Sequence, residues 1–441
     1  MKPKHVVVCL IDAAGARHMS CYGYHRKTTP NIDAVAEEGV IFRKCFSTAN
    51  YTMSGCGSFH TGRYPENHGA FYLERRLKED DLTLAETMRR AGYATCGLIY
   101  NQYANDYMGF HIGFEHFDNF EGMKPTKKGT AELFEREAEY HARLDKWLKE
   151  VQGRQIFAFV HFQPPHEEYE APKKFRQTWA IPYPGVPRTD ASTLMSWEQG
   201  KSPYTQQDID YVRDLYDENM LYADYNVGLV IAKLKELGMW DDTLFILVSD
   251  HGEAFMEHGF TLHNTTMYDE MIHVPLVLKF PKGMEPVKKE IDALVEIIDI
   301  YPSVADMLGI SLPKEYIDGK SFMPLIHGEV DEIKEYNFAR SAHYLTPMLS
   351  VRTLRYKYIY NQTKETKELY DMTADPLEKS NIIEQNQELA GKFHKLLEPI
   401  LECYRIARGK QPLSSRIRIF FKRCVFFLKR QGNTIVCKEK E

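Results

Sequence analysis

The apolar positions of this chain follow two rhythms. Unbroken runs occur at HVVVCLI (5–11), IFAFVHF (156–162) and LFILV (244–248). Each is too short for a helix and rich in branched side chains, which predicts strands buried on both faces of a parallel sheet. Elsewhere the spacing is helical. Ile32, Val35 and Ala36 follow a start at Asn31 or Asp33 and stop at Gly39, and residues 209–238, 294–309 and 385–403 read the same way. From about residue 320 the rhythm changes: LSVRTLRYKYIYNQ (349–362) and KELYDMT (367–373) alternate like antiparallel strands. The expected architecture is α/β. A mixed, mostly parallel sheet flanked by helices spans 1–320, a small C-terminal antiparallel sheet 321–385, and a helical, basic, aromatic tail 386–441.

The ends of the buried runs carry the polar chemistry. LFILV stops in Ser249-Asp250-His251-Gly252-Glu253, and HVVVCLI stops in Asp12. Acids at the C-terminal ends of neighbouring parallel strands lie where such sheets bind ligands, and two of them can converge on one cation. Asp with His suits Mn²⁺, Zn²⁺ or Mg²⁺. The plainer readings are an Asp-His turn that caps the next segment and an Asp12 that caps a helix. Small, glycine-rich residues 49–57 look like a turn presenting Thr52 or Ser54 at a helix N-terminus, where backbone amides favour anions. A hydroxyl attacks at neutral pH only when a base or metal lowers its pKa, and Asp12, Asp250 and His251 can hold that metal.

Composition narrows the class without naming a reaction. The 43% hydrophobic and 27% charged content is that of a globular protein. Eight cysteines without CxxC spacing argue for free thiols in a reducing compartment. The first apolar run meets Asp12 after six residues, too soon for a signal peptide, and nothing approaches the ~20 apolar residues of a membrane span. A cytoplasmic location is expected. Residues 404–441 hold eleven Lys/Arg against two Glu, which leaves the preceding 403 residues at −15. An acidic body is no nucleic-acid binder. Within the tail, 414–432 mixes Phe420, Phe421, Phe426 and Phe427 with six basic residues; it suits an anionic membrane surface, or a helix docked on the body.

Asp12, TTPNID (28–33), Thr61-Gly62-Arg63-Tyr64-Pro65, LTLAETMRRAGYAT (82–95) and the run from Gly238 to SDHGE occur in an order that resembles the sulfatase family of the alkaline phosphatase superfamily. YDEMIHVPLVL (268–278), DGKSFMPL (318–325) and ELYDMTADPLEKSN (368–381) extend the resemblance across residues 4 to 385. The departures are as informative. The family's C/S-x-P-x-R motif, whose first residue becomes formylglycine nine positions before the Thr of TGR, falls here on Thr52-Met53-Ser54-Gly55-Cys56. Threonine cannot become an aldehyde, because its Cβ already carries a methyl group. The G-K-x-H segment reads Ile99-Tyr100-Asn101-Gln102, and a further Lys is replaced by Asn264.

What remains resembles the threonine-nucleophile members of the superfamily: nucleotide pyrophosphatase/phosphodiesterases and phosphoglycerol or phosphoethanolamine transferases. The resemblance implies Thr52 as nucleophile and Asp12, Thr52, Asp250 and His251 as ligands of one divalent metal (Mn, Zn, Mg or Ca). The Asp-x-x-x-His pair of two-zinc relatives is absent, since Asp217 and Asp224 are followed by Leu221 and Gly228. His166, in VHFQPPHEEYEAP, matches a family histidine that contacts the transferred group. His263, twelve residues past His251, can protonate the leaving oxygen or bind the anion. His161 reads equally as a surface or core residue, and Arg17 and Asn101 complete the candidates. The implied activity is cleavage or transfer of phosphate mono- or diesters, with an anionic substrate on a glycan or lipid head group. The rivals are sulfate-ester hydrolysis and a catalytically silent anion- or partner-binding protein.

Overall fold

The unbroken apolar runs form the middle of an eight-stranded sheet. In the computed structural model, residues 2–70, 76–120, 130–264, 266–313, 316–341 and 348–409 are described, with backbone alone for 130–136 and 404–409. The strands are β1 (His5–Ile11), β2 (Val40–Phe42), β3 (Ala94–Ile99), β4 (His116–Asn119), β5 (Ile156–Phe162), β6 (Thr243–Val248), β7 (Leu276–Lys279) and β8 (Glu290–Ile291). Their order is β8-β2-β7-β6-β1-β5-β3-β4, and only β7 runs against its neighbours. β1 lies between β5 and β6 in parallel register, with Leu10 opposite His161 and Val248. The three longest apolar runs are therefore the three central strands.

Burial on both faces explains why they do not alternate with polar residues. Val6, Val8 and Leu10 enter one core and Val7, Cys9 and Ile11 the other, all nearly inaccessible. Each such side chain contributes roughly 1.5–3 kcal/mol relative to exposure. On the first face lies helix α1 of the site, Thr52–Thr61, through Met53, Cys56 and Phe59. On the second lies α2 (Gln206–Glu236), through Tyr216, Met220, Ala223, Val227 and Val230. Thr205 and Asp208 close a capping box at the start of α2.

The segment 294–309 is not one helix. Val295–Glu296 pairs in parallel with Cys45–Phe46, Ile297–Asp299 is a 3-10 turn, and the helix proper is Ile300–Met307. Lys334 decides this by holding Glu296 at 2.8 Å and Asp299 at 2.7 Å in the interior. A tertiary ion triad overrides the local helical period. Phe322 to Ile326 still pack in the core of the large sheet.

The smaller sheet runs β9 (Asn337–Arg340), β10 (Met348–Arg352), β11 (Tyr356–Asn361) and β12 (Thr366–Asp371), antiparallel and in sequence order. The helix Gln387–Gly409 covers it through Ala390, Phe393 and Leu397. Arg352 and Lys357 of this sheet both bind Asp269, each at 2.7 Å, tying it to the loops beyond β6. Cys9, Cys21, Cys45, Cys56, Cys96 and Cys403 are free thiols, as the spacing predicts. Among the described residues no helix is long and apolar enough to cross a membrane, and the basic aromatic segment 414–432 lies outside them.

Candidate functional site

Because β1 and β6 run parallel and in register, Asp12 and the Asp250-His251 pair emerge side by side at one sheet edge. α1 delivers Thr52, its first residue, to the same point. Thr52 Oγ1 lies 3.2 Å from His251 Nε2 and 3.4 Å from Asp12 Oδ1. Asp12, Thr52, Asp250 and His251 are all at most 1% exposed. Two segments some two hundred residues apart in sequence therefore meet.

Backbone contacts fix which atoms face inward. His251 Nδ1 lies 2.9 Å from the Gly252 carbonyl; donating its N–H there leaves the Nε2 lone pair toward Thr52. Asp250 Oδ1 accepts the amides of His251 (3.0 Å) and Ala13 (3.3 Å) and leaves Oδ2 pointing inward. Ala13 adopts φ 58°, a left-handed conformation that a non-glycine residue holds only when its surroundings impose it. The Tyr216 hydroxyl of α2 supplies part of that constraint: it donates to the Ala13 carbonyl (2.7 Å) and accepts the Gly15 amide (3.0 Å). α1 also passes close behind the acids. A Cβ on Gly55 would sit 2.6 Å from the Asp250 carbonyl oxygen, so only glycine fits.

Ligand atoms of Asp12, Asp250 and His251 lie within 4.8 Å of one another. Two carboxylates and an imidazole, all buried, are donors of the kind that can hold a divalent cation. Electrostatics agree. Burial and the Asp12 charge push Asp250 up to about 6. Burial would raise Asp12 as well, but His166, His161 and His251 outweigh it and hold that carboxyl below its usual range. Burial lowers His251 below the usual histidine range. The residues fit a divalent metal. Cys56 Sγ, 3.9 Å from Asp250 Oδ2, keeps its proton because burial raises the thiol well above its usual pKa.

His166 and His263 form the facing wall. Their rings lie 4.6 Å apart, and His263 lies the same distance from His251. Leu262 (φ 61°) and Asn264 (φ 73°) flank His263 in left-handed conformations, so its loop is held under constraint. Two acids join this wall. Glu167 Oε2 is 3.0 Å from His166 Nδ1, and Glu253 Oε1 is 3.2 Å from His263 Nδ1. Burial and the Glu167 charge raise Glu253 well above the usual carboxyl range. Beyond His166 and Glu167 opens a groove lined by Tyr100, Tyr140, Tyr222, Glu137 and Asn226.

Sequence reasoning underrated several of these residues. Asn101 Nδ2 donates to Asp12 Oδ2 at 2.6 Å, and His161 Nε2 lies 3.4 Å from the same oxygen. His161 occupies a register position opposite Leu10, one residue short of the strand end, and that pairing was the available signal. Glu253 and Glu167 were visible only as neighbours of better-marked residues. Asp217 and Asp224 serve the scaffold: Asp217 binds His18, Tyr24 and Arg26, and Asp224 accepts the amides of Asn31 and Ile32.

The protein-family model described as Sulfatase matches residues 4–310. The chain belongs to the sulfatase family. A second model, N-sulphoglucosamine sulphohydrolase, C-terminal, matches 256–402. Similar sulfatases include the N-acetylglucosamine-6-O-sulfatase of Bacteroides thetaiotaomicron, 23% identical over 93% of this chain and 88% of that protein. The choline-sulfatase of Rhizobium meliloti is 25% identical over 80% and 77%. Among solved structures, the phosphonate monoester hydrolase of Agrobacterium radiobacter superposes with a TM-score of 0.72 at 22% identity, covering 90% of this chain and 95% of that one. This sulfatase-family chain thus carries its acids, histidines and Thr52 on the family's α/β frame.

Proposed function

We propose that the chain is a metal-dependent ester hydrolase or transferase that acts on phosphate mono- or diesters through Thr52. The observation that carries this reading is the placement of Thr52 Oγ1 against His251 Nε2 and Asp12 Oδ1, at the first residue of α1. Asp12, Asp250 and His251 would hold the divalent cation. Once bound, the cation would lower the pKa of the Thr52 hydroxyl and offset charge on the ester oxygens. Thr52 Oγ1 gives up its proton to solvent and forms the bond to phosphorus as the bond to the leaving oxygen breaks, and that oxygen takes a proton from His263 or from water. Water or an acceptor alcohol then displaces Thr52 in the reverse sense. The amides of the first turn of α1 face the oxygens of the transferred group. His166 and His263 hold that group from the opposite wall, and the tyrosine-lined groove takes the alcohol part of the ester. The resemblance to a phosphonate monoester hydrolase supports phosphorus chemistry on this frame.

A second reading is sulfate-ester hydrolysis, which the relatives named as sulfatases of N-acetylglucosamine and choline esters favour. A silent binding protein is disfavoured, because burying two acids and an imidazole around a hydroxyl is costly without the ion they bind. Turnover of aryl phosphate, bis-aryl phosphate and aryl sulfate by metal-stripped protein re-loaded with Mn²⁺ or Zn²⁺ separates these readings. Phosphoester cleavage that requires the metal and falls at least ~10³-fold in Thr52→Ala is the expected result. Sulfate cleavage that survives Thr52→Ala overturns it.

A further inference from the structure

The groove beyond His166 and Glu167 has walls of a narrow chemical kind. Rings of Tyr100, Tyr140 and Tyr222 and carboxylates of Glu137, Glu168 and Glu170 line it, and among the described residues no Lys or Arg does. Glu167, where the groove meets the site, is answered by His166 at 3.0 Å. Glu170 reaches Arg176 at 3.8 Å, with both side chains partly solvated. Lys174 acts on Glu137 only through its charge, because its Nζ sits over the Tyr225 ring, 3.2 Å from the centroid. Burial outweighs both the Tyr222 hydroxyl and that charge and raises the Glu137 carboxyl.

Several neutral polar groups of these walls already have partners in the protein. The Tyr140 hydroxyl lies 2.9 Å from the Leu98 carbonyl and 3.0 Å from that of His161. The Tyr222 hydroxyl donates to Glu137 Oε2 at 2.8 Å. The Asn226 side chain donates to the Tyr222 carbonyl at 3.0 Å and meets His141 Nε2 at 2.8 Å, and Asn219 donates to the Leu215 carbonyl at 2.9 Å. Ring surface and carboxylate oxygen remain. A neutral polyol is oriented by directional hydrogen bonds, and an anion by Arg or Lys. A cation needs neither, since carboxylates attract it and the negative faces of aromatic rings hold it. Tyr140 stands at 71° to Tyr100 and at 48° to Phe162, with centroids 6.5 and 5.5 Å away, so these rings meet at angles as the walls of a box do.

We propose that this groove selects esters whose alcohol bears a substituted ammonium group, held against the rings of Tyr100, Tyr140 and Tyr222 with Glu137 as its counter-charge. The selection rests on the reading that the groove takes the alcohol part of the ester. The substrate is then zwitterionic, with its anionic group at Thr52 and its cation beyond His166. Tyr222 is a positioning residue as well as a wall, because its hydroxyl holds the Glu137 carboxylate in place.

The test is a ligand-observed magnetic resonance titration of the full chain, at fixed ionic strength, with tetramethylammonium and with tert-butanol, an uncharged molecule of similar bulk. Tetramethylammonium is expected to bind at least ~10-fold more tightly than tert-butanol, and to lose about that factor in Glu137→Gln. Equal affinities in the wild type, or no binding of tetramethylammonium, overturn the proposal without any variant. An unchanged affinity in folded Glu137→Gln overturns it as well. Turnover gives a second readout: kcat/KM for 2-(trimethylammonio)ethyl phosphate is expected to exceed that for its uncharged isostere, 3,3-dimethylbutyl phosphate, at least ~10-fold. Equal values contradict the selection. The titration involves no turnover, so the two claims fail separately. Ammonium binding without cleavage of any phosphoester would remove the Thr52 mechanism and leave the ammonium site standing. Cleavage of both esters alike through Thr52, with no tetramethylammonium bound, would remove the ammonium site alone.

Discussion

At the residue scale, histidines do two opposed jobs here. His251 and His263 line a polar pocket, whereas His60 and His68 sit fully inside the molecule. His60 packs against Phe59, Phe110 and Phe159, and its Nε2 has no hydrogen-bond partner. Burial lowers both His60 and His68 to about 3. The unfolded chain binds these protons near pH 6.5, while the folded chain refuses them until about pH 3. Stability is therefore expected to fall as pH drops below 6.5, by about 2 kcal/mol for each of the two at pH 5. Denaturant melts at pH 7.5 and 5 should show that slope, reduced in His60→Phe; an equal slope in the variant contradicts the account. Asp250→Asn removes one donor of the proposed cation site and is expected to weaken metal affinity at least ~10-fold by titration calorimetry, with an unchanged affinity as the contrary result.

At the scale of elements, the site depends on how closely α1 approaches the end of β6. Gly55 has the Asp250 carbonyl oxygen 2.6 Å from where a Cβ would lie, so Gly55→Ala forces the helix and the acid apart. The expected loss is about 1–3 kcal/mol of stability, with turnover down roughly 10²-fold because Thr52 moves relative to Asp250. Wild-type kcat in Gly55→Ala would show that this approach does not set the geometry. The Lys334 triad supports the turn at Ile297–Asp299 that packs on α1. Lys334→Met strands two buried carboxylates and is expected to cost about 3–5 kcal/mol, read as a lowered denaturation midpoint. A midpoint matching wild type would mean that the carboxylates simply take up protons at no cost. The same triad shows why 294–309 misleads as a sequence: its partner lies beyond the helical period, and no local pattern announces it.

Over the whole molecule, what was legible in the sequence follows the sheet. β1, β5 and β6 are unbroken apolar runs because helices cover both faces, and their ends marked Asp12, Asp250 and His251 directly. Thr52 was legible through its register to the TGR run. Less legible were residues whose role comes from side-by-side strands or looping chain, such as His161, Asn101, Glu167 and Glu253. Short strands like Glu290–Ile291 carry too few residues to show a period. The proposed chemistry turns on the Thr52 oxygen. The direct measurement is high-resolution mass spectrometry of the Thr52 peptide from metal-loaded enzyme, acid-quenched during turnover of an activated aryl phosphate. A phosphoryl group on Thr52, absent without metal, is the predicted result. An unmodified Thr52 peptide during steady phosphoester turnover, or the adduct on another residue, would contradict it.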